Sequence, residues 1–118
     1  MAKENIVIQK SYTFALRIIK LYKYLTESQK EYVLSKQVLR SGTAIGALLS
    51  ELVYAQSKAD FINKANIALK EANETTYWLS LLKDSEYITI DSYNSIFTDC
   101  NELIKLLVAI VKTSKKNQ

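Results

Sequence analysis

The chain has 118 residues with a net charge of +4 at pH 7, and 48% of them are hydrophobic, a composition typical of one soluble globular domain. Its lack of histidine excludes Ser-His-Asp and Cys-His catalytic arrangements, histidine-containing zinc sites and ferritin-like di-iron sites. Because two glycines and no proline leave few turn-forming residues, many short strands are disfavoured and a few long helices are predicted.

Hydrophobic periodicity divides the chain into four amphipathic segments. The predicted helices span residues 8–26, 31–54, 58–84 and 90–112. Ser57 begins a variant capping box at the start of the third helix, and Thr89 or Asp91 caps the fourth. A basic tail over residues 113–118 is expected to fray. Because short connections make successive helices antiparallel, the prediction is an all-α, up-down-up-down four-helix bundle that forms one domain over residues 1–118.

Both glycines of the chain, Gly42 and Gly46, lie inside the second predicted helix. A glycine inside a helix costs roughly 0.5–1 kcal/mol relative to alanine. We therefore expect another helix to pack closely over these two positions, where a Cβ would hold the backbones apart. The small residues of the third helix suit this contact, namely Ala65, Ala68 and Ala72. The alternative is that the glycines make room for a ligand.

The single cysteine, Cys100, falls on the apolar stripe of the fourth helix. It is predicted to be a buried structural thiol, since no histidine is present to activate it. The N-terminal stretch carries charges where a signal peptide is apolar, and no segment is long and apolar enough to span a bilayer. These features predict a cytoplasmic protein without a membrane contact, and nothing in the sequence indicates a cofactor, a metal or a small-molecule substrate.

A charged cluster is predicted where the second and third helices lie side by side. Folding them back about Gln56 places Arg40 opposite Glu71 and Glu74, which predicts a partly buried, charge-assisted ion pair that fixes the register of the two helices. The alternative is a metal or acid–base site on the two glutamates, but no suitable third ligand is evident and Arg40 competes for the carboxylates. Trp78 lies on the third helix, like the two glutamates, and is interpreted as a helix or subunit contact rather than a base-stacking residue.

Basic residues concentrate in the first helix and at the end of the chain. The candidate nucleic-acid-binding residues are Lys10, Arg17, Lys20, Lys23, Lys112, Lys115 and Lys116. Because the first and fourth helices are neighbours in such a bundle, the two groups are expected to merge into one basic surface, which attracts a polyanion with salt-sensitive affinity. The alternative is a solvated lysine face that only aids solubility.

The stretches "RSGTAIG" at residues 40–46 and "QSKADFINKANIALKEANETTYWLSLL" at residues 56–82 carry a family resemblance. The chain resembles the small "four helix bundle protein" family, first noticed as reading frames within intervening sequences of bacterial 23S rRNA genes. The resemblance covers nearly the whole chain and is strongest over residues 37–88. Leu48 and Leu49 replace an asparagine that the family usually has near this point, so no polar role is carried over to it.

This resemblance implies a left-handed bundle that assembles into a ring-like homo-oligomer, pentameric in related proteins. The family is also similar in fold to accessory proteins of diversity-generating retroelements, which form basic pentameric rings that engage nucleic acid. The sequence and the resemblance together predict a non-enzymatic, oligomeric bundle that binds structured RNA or DNA through basic helix faces. The alternative is a scaffold that presents its surface to a protein partner and does not bind nucleic acid.

Overall fold

The computed structural model describes residues 2–116, with side chains from residue 5. Over these residues the chain forms four long helices, α1 (Ala2–Glu27), α2 (Leu34–Leu49), α3 (Lys58–Asp84) and α4 (Ile90–Lys116). α2 ends at Leu49 rather than at the predicted residue 54, and a 3-10 turn, Leu52–Tyr54, lies between it and α3. Successive helices pack against one another and α4 packs against α1, which confirms the predicted antiparallel four-helix bundle. The bundle measures 47 × 21 × 19 Å.

The core runs along the bundle axis and is formed by large aliphatic side chains from all four helices. Those with at most 1% of their surface exposed include Ile18, Leu25, Ile45, Leu49, Leu79, Leu82, Leu103 and Leu107. Burying one such side chain contributes about 1.5–3 kcal/mol to folding, so this shared interior is the main source of the bundle's stability. Two buried hydroxyls are paired across α2 and α3. The hydroxyl of Thr75 donates a hydrogen bond to the hydroxyl of Ser41, with 2.9 Å between the oxygens.

α1 covers both glycines of α2, so the expectation that the third helix packs over them is wrong. A Cβ built on Gly42 would lie 2.8 Å from Cγ1 of Ile18, and one on Gly46 would lie 3.3 Å from the carbonyl oxygen of Ser11. On α3, Ala72 instead contacts α4, since its carbonyl accepts a hydrogen bond from Cys100. The close approach that the glycines permit therefore joins α1 to α2.

α2 begins later than its predicted start at residue 31, because the side chain of Glu31 caps it. The buried carboxylate accepts hydrogen bonds from the backbone N–H groups of Val33 at 3.1 Å, Leu34 at 2.9 Å and Ser35 at 2.7 Å. Burial raises the pKa of Glu31, but these hydrogen bonds outweigh it and hold the pKa below its ordinary value. One carboxylate thus satisfies three backbone donors that a helix start leaves unpaired.

The ends of the first and last helices also differ from the prediction. α1 begins at Ala2 rather than residue 8, and α4 continues to Lys116 rather than ending at residue 112. The first turns of α1 lie beside the last turns of α4, and Ser114 is buried there. Packing therefore keeps residues 113–116 helical, so the expected fraying is wrong for them, and the rest of the predicted tail lies outside the described residues.

Candidate nucleic-acid interface

Two of the seven candidate basic residues point along the α1–α4 contact, where each meets an acid. Lys10 pairs with Glu102 at 3.3 Å, and Arg17 pairs with Asp99 at 2.7 Å. Arg17 also donates hydrogen bonds to the carbonyl oxygen of Ser95 at 3.1 Å and to its hydroxyl at 2.5 Å. These interactions hold α4 against α1, and they leave Arg17 with little capacity for a phosphate.

The remaining candidates lie at opposite ends of the bundle. Because Lys10 is level with Glu102, the lysines at the end of α4 lie beside the first turns of α1. At about 1.5 Å per helical residue, Lys20 and Lys23 are roughly 25–30 Å further along the axis. The expectation of one merged basic surface is therefore wrong within a single subunit, because antiparallel packing separates the two groups by most of the bundle length.

The second half of α4 carries the strongest basic character, and it includes a lysine that the sequence reasoning missed. After Glu102 the chain contains no further aspartate or glutamate. The four lysines that follow are all exposed, namely Lys105, Lys112, Lys115 and Lys116. Three of them recur at spacings of seven and four residues and so share one face of the helix. That spacing was visible in the sequence and identifies Lys105 as a member of the set.

The two ends of the bundle differ in charge. The two-loop end, residues 20–36 and 83–91, holds the connections α1–α2 and α3–α4 and contains five lysines and five carboxylates. The one-loop end is formed by the start of α1 together with residues 50–64 and 103–116, which hold the connection α2–α3 and the end of α4. Those last two segments contain six lysines and two carboxylates. Both of those carboxylates, Glu51 and Asp60, are within ion-pair distance of Lys64, at 3.4 and 3.7 Å. The excess positive charge of the protein is thus concentrated at the one-loop end.

The predicted charged cluster between α2 and α3 is present. Arg40 contacts Glu71 at 3.1 Å and forms a second ion pair with Glu74. The indole N–H of Trp78 donates to the same Glu74 carboxylate at 2.9 Å. This hydrogen bond and the one from Arg40 hold the pKa of Glu74 below its ordinary value. The contacts fix the register of α3 on α2 and occupy both glutamates, which leaves no open acid–base or metal site there.

Cys100 lies in the core, where its thiol donates a hydrogen bond to the carbonyl oxygen of Ala72 at 3.4 Å. Burial, with a smaller effect from the nearby charge of Asp99, raises the pKa of the thiol to about 12. At neutral pH the group is therefore a thiol and not the thiolate that acts as nucleophile or metal ligand. Among the side chains that the structure describes, no three histidine, cysteine, aspartate or glutamate residues are close enough to hold a metal ion.

One exposed face of α1 is apolar. Tyr12, Leu16 and Ile19 are all exposed although they recur at the spacing of one helix face. This stripe points away from the core, opposite Phe14 and Ile18, which are buried. Contiguous exposed apolar residues of this kind commonly mark a protein–protein contact.

Comparison with known proteins gives a family and a structural relative. Residues 3–109 match the family described as 23S rRNA-intervening sequence protein. A crystal structure of a protein with unknown function from the S23 ribosomal protein family of Bacteroides thetaiotaomicron VPI-5482 is similar, with a TM-score of 0.92 and 61% sequence identity over 93% of this chain and 98% of that chain. No curated protein matches the chain. Within residues 2–116, none of the helices has the length and apolar character needed to cross a bilayer.

Proposed function

This chain belongs to the 23S rRNA-intervening sequence protein family, and on that premise we propose that it is a non-enzymatic, oligomeric bundle that binds RNA or DNA. The contact surface in this proposal is the one-loop end together with the outer face of α4, which is the face that carries Lys105, Lys112 and Lys116. Neither the family nor its structural relative carries an assigned activity, and the relative is described as a protein with unknown function. The proposal rests on the charge distribution of this chain.

The observation that carries the proposal is the acid-free second half of α4. It has four exposed lysines and no carboxylate after Glu102, so no neighbouring residue of that half neutralises them. Lysines near a helix C-terminus also stabilise the helix dipole, but that effect is confined to the last turn. Lys105 lies eleven residues before the end of α4, outside the last turn. The dipole therefore accounts for only part of this arrangement, whereas a phosphate backbone running along α4 accounts for the three lysines that share one face, Lys105, Lys112 and Lys116.

Assembly is the second part of the proposal, and it involves the α1 stripe of Tyr12, Leu16 and Ile19. Covering these apolar side chains with another surface removes them from water and thereby stabilises the assembly. A second copy of this chain is the occupant that the family resemblance favours, and the related rings have five subunits. In such a ring the acid-free half of α4 is repeated in every subunit, and one nucleic-acid strand contacts several copies at once, which multiplies its affinity.

The proposal is tested by removing the same number of charges at each end. In one variant Lys105, Lys112, Lys115 and Lys116 are changed to Gln, and in the matched control Lys20, Lys23, Lys30 and Lys36 are changed to Gln. We expect the first variant to lose at least tenfold in affinity for a labelled RNA at low salt, and the control to keep most of the parent's affinity. Equal losses in both variants would show that net charge alone attracts the RNA.

A second candidate function is a scaffold for a protein partner, and the exposed α1 stripe favours it. In that case the lysines of α4 only keep the protein in solution. The scaffold is the better description if the parent protein is folded by circular dichroism and oligomeric by light scattering, yet changes the mobility of neither RNA nor DNA at low ionic strength. The same assay therefore decides between the two functions.

A further inference from the structure

An exposed tyrosine stands at the one-loop end. Tyr54 lies on the 3-10 turn between α2 and α3 and is 79% exposed, more than any other large apolar side chain in the described part of the chain. Its neighbour Val53 is also exposed, whereas Leu52 turns inward and is buried. The turn is therefore anchored by Leu52 and presents the aromatic ring of Tyr54 to solvent.

The ring and the lysines share one end of the bundle. Lys64, in the second turn of α3, pairs with Glu51 at 3.4 Å, which holds the segment before the 3-10 turn against α3. The contact between Cys100 and Ala72 sets the register of α4 on α3, and it puts the first turn of α3 level with the last turns of α4. Because the bundle is 21 by 19 Å across, Tyr54 and the lysines at the end of α4 are separated by about one bundle width at most.

The other exposed tyrosines have different surroundings. The hydroxyl of Tyr24 accepts a hydrogen bond from Gln29 at 2.7 Å, and the ring of Tyr77 packs edge-on against Trp78. Tyr12 belongs to the α1 stripe. Tyr32 is 53% exposed but lies at the two-loop end, where lysines and carboxylates are equal in number. Tyr54 is thus the exposed tyrosine that stands beside an excess of positive charge.

We propose that Tyr54 stacks on an unpaired base of a single-stranded segment whose phosphates are held by Lys58, Lys112 and Lys115. Lysines along a backbone combined with an aromatic ring for the bases is how proteins bind single strands without sequence preference. In a duplex both faces of each base are already covered by neighbouring bases, so the ring has no partner there. This inference rests on the proposed function and narrows it to nucleic acid with unpaired bases.

The test compares Tyr54→Ala, Tyr54→Phe and the control Tyr32→Ala, using a labelled oligothymidylate and a duplex of the same length. We expect Tyr54→Ala to weaken single-strand binding about 5- to 150-fold and to leave duplex binding unchanged. Tyr54→Phe keeps the ring and is expected to bind like the parent, as is Tyr32→Ala. Because stacking releases no counterions, the salt dependence of binding should stay the same in Tyr54→Ala, whereas Lys112→Gln should lower its slope by about one.

Each other result has a distinct meaning. If the parent binds the single strand and Tyr54→Ala binds it equally well, the stacking inference is wrong while the proposed function stands. If Tyr54→Ala changes the oligomeric state in light scattering, Tyr54 is a subunit contact and the inference is also wrong. If the parent binds neither probe, the proposed function fails, and the inference fails with it.

Discussion

The two-loop end and the one-loop end of this bundle close the same four helices in different ways. At the two-loop end the charges balance, and the buried carboxylate of Glu31 caps α2 by accepting three backbone hydrogen bonds. At the one-loop end the cap of α3 is the exposed Ser57, whose hydroxyl accepts one hydrogen bond, from Asp60. There the lysines outnumber the carboxylates six to two. The difference leaves the two-loop end balanced in charge with a buried cap, and it concentrates positive charge at the one-loop end, where we propose that nucleic acid binds.

The largest expected effect on stability comes from a substitution at Gly42, which lies in the middle of the bundle between the two ends. Leucine at this position would force a side chain into Ile18 of α1, and a buried overpacking of this size costs about 3 kcal/mol or more of unfolding free energy. We expect Gly42→Leu to unfold at much lower urea concentration than the parent, with both ends affected together. The matched control is Ala47→Leu on the exposed face of α2, which should change the free energy by less than about 0.5 kcal/mol. Equal stability of Gly42→Leu and the parent would contradict the close approach of α1 to α2.

A smaller effect is expected at the cap of the two-loop end. Glu31→Gln replaces a carboxylate that accepts three hydrogen bonds by an amide with one acceptor oxygen, and it should cost about 1–3 kcal/mol. Ser57→Ala removes only the hydrogen bond that the exposed hydroxyl accepts from the N–H of Asp60, and it should cost about 0.5–1 kcal/mol. If the Ser57 variant proves the less stable of the two, the comparison of the two ends is wrong.

The lowered pKa of Glu31 makes the stability of the folded protein depend on pH, and stability should fall in acid. Because the folded protein holds this carboxylate below its ordinary pKa, its contribution to stability is present above about pH 4.5 and is lost as the pH falls through the folded value. The stability difference between the parent and Glu31→Gln should therefore be largest near neutral pH and should narrow in acid. A difference that stays constant from pH 7 to about pH 3 would show that the charge of Glu31 is not what stabilises the cap.

The smallest expected effect is a gain in stability at the α3–α4 connection of the two-loop end. Glu86 has a left-handed φ of 67°, a conformation that costs non-glycine residues roughly 1–2 kcal/mol and that glycine adopts readily. Glycine also loses more entropy on folding, so Glu86→Gly should gain about 0.5–1 kcal/mol, whereas Glu86→Ala should gain nothing. Thermal unfolding of the two variants measures the difference, and equal midpoints would exclude backbone strain at this position.

The sequence predicted those parts of the structure that depend on one helix or on two joined by a short connection. The helix periodicities, the Ser57 cap and the facing of Arg40 with Glu71 and Glu74 all follow from local pattern or from folding back at one loop. The partner of Gly42 and Gly46 did not follow, because choosing α1 rather than α3 requires knowing how α2 is rotated in the bundle. The pairs made by Lys10 and Arg17 depend on the register of α1 against α4, which are joined by no loop.

The cap by Glu31 was missed for a different reason. Serine, threonine, aspartate and asparagine are the usual capping residues, and a glutamate reaches the same N–H groups only when its longer side chain is folded back and buried. The missed Lys105 was within reach of the sequence, since its spacing to Lys112 and Lys116 places it on their face. The division of the lysines between two ends was also within reach of the sequence, because the predicted antiparallel topology places Lys20 and Lys23 at the opposite end of the bundle from Lys112.

The most direct test of this account measures how binding to RNA changes with salt in the parent and in the variant with all four α4 lysines changed to Gln. Each phosphate contact contributes about 0.7–0.9 to the slope of log affinity against log salt concentration. Four contacts therefore give the parent a slope steeper than that of the variant by about three. We expect that difference, together with an unchanged slope when Lys20, Lys23, Lys30 and Lys36 are changed instead. Identical slopes for the parent and the α4 variant would contradict the claim that the one-loop end and the outer face of α4 are the nucleic-acid interface.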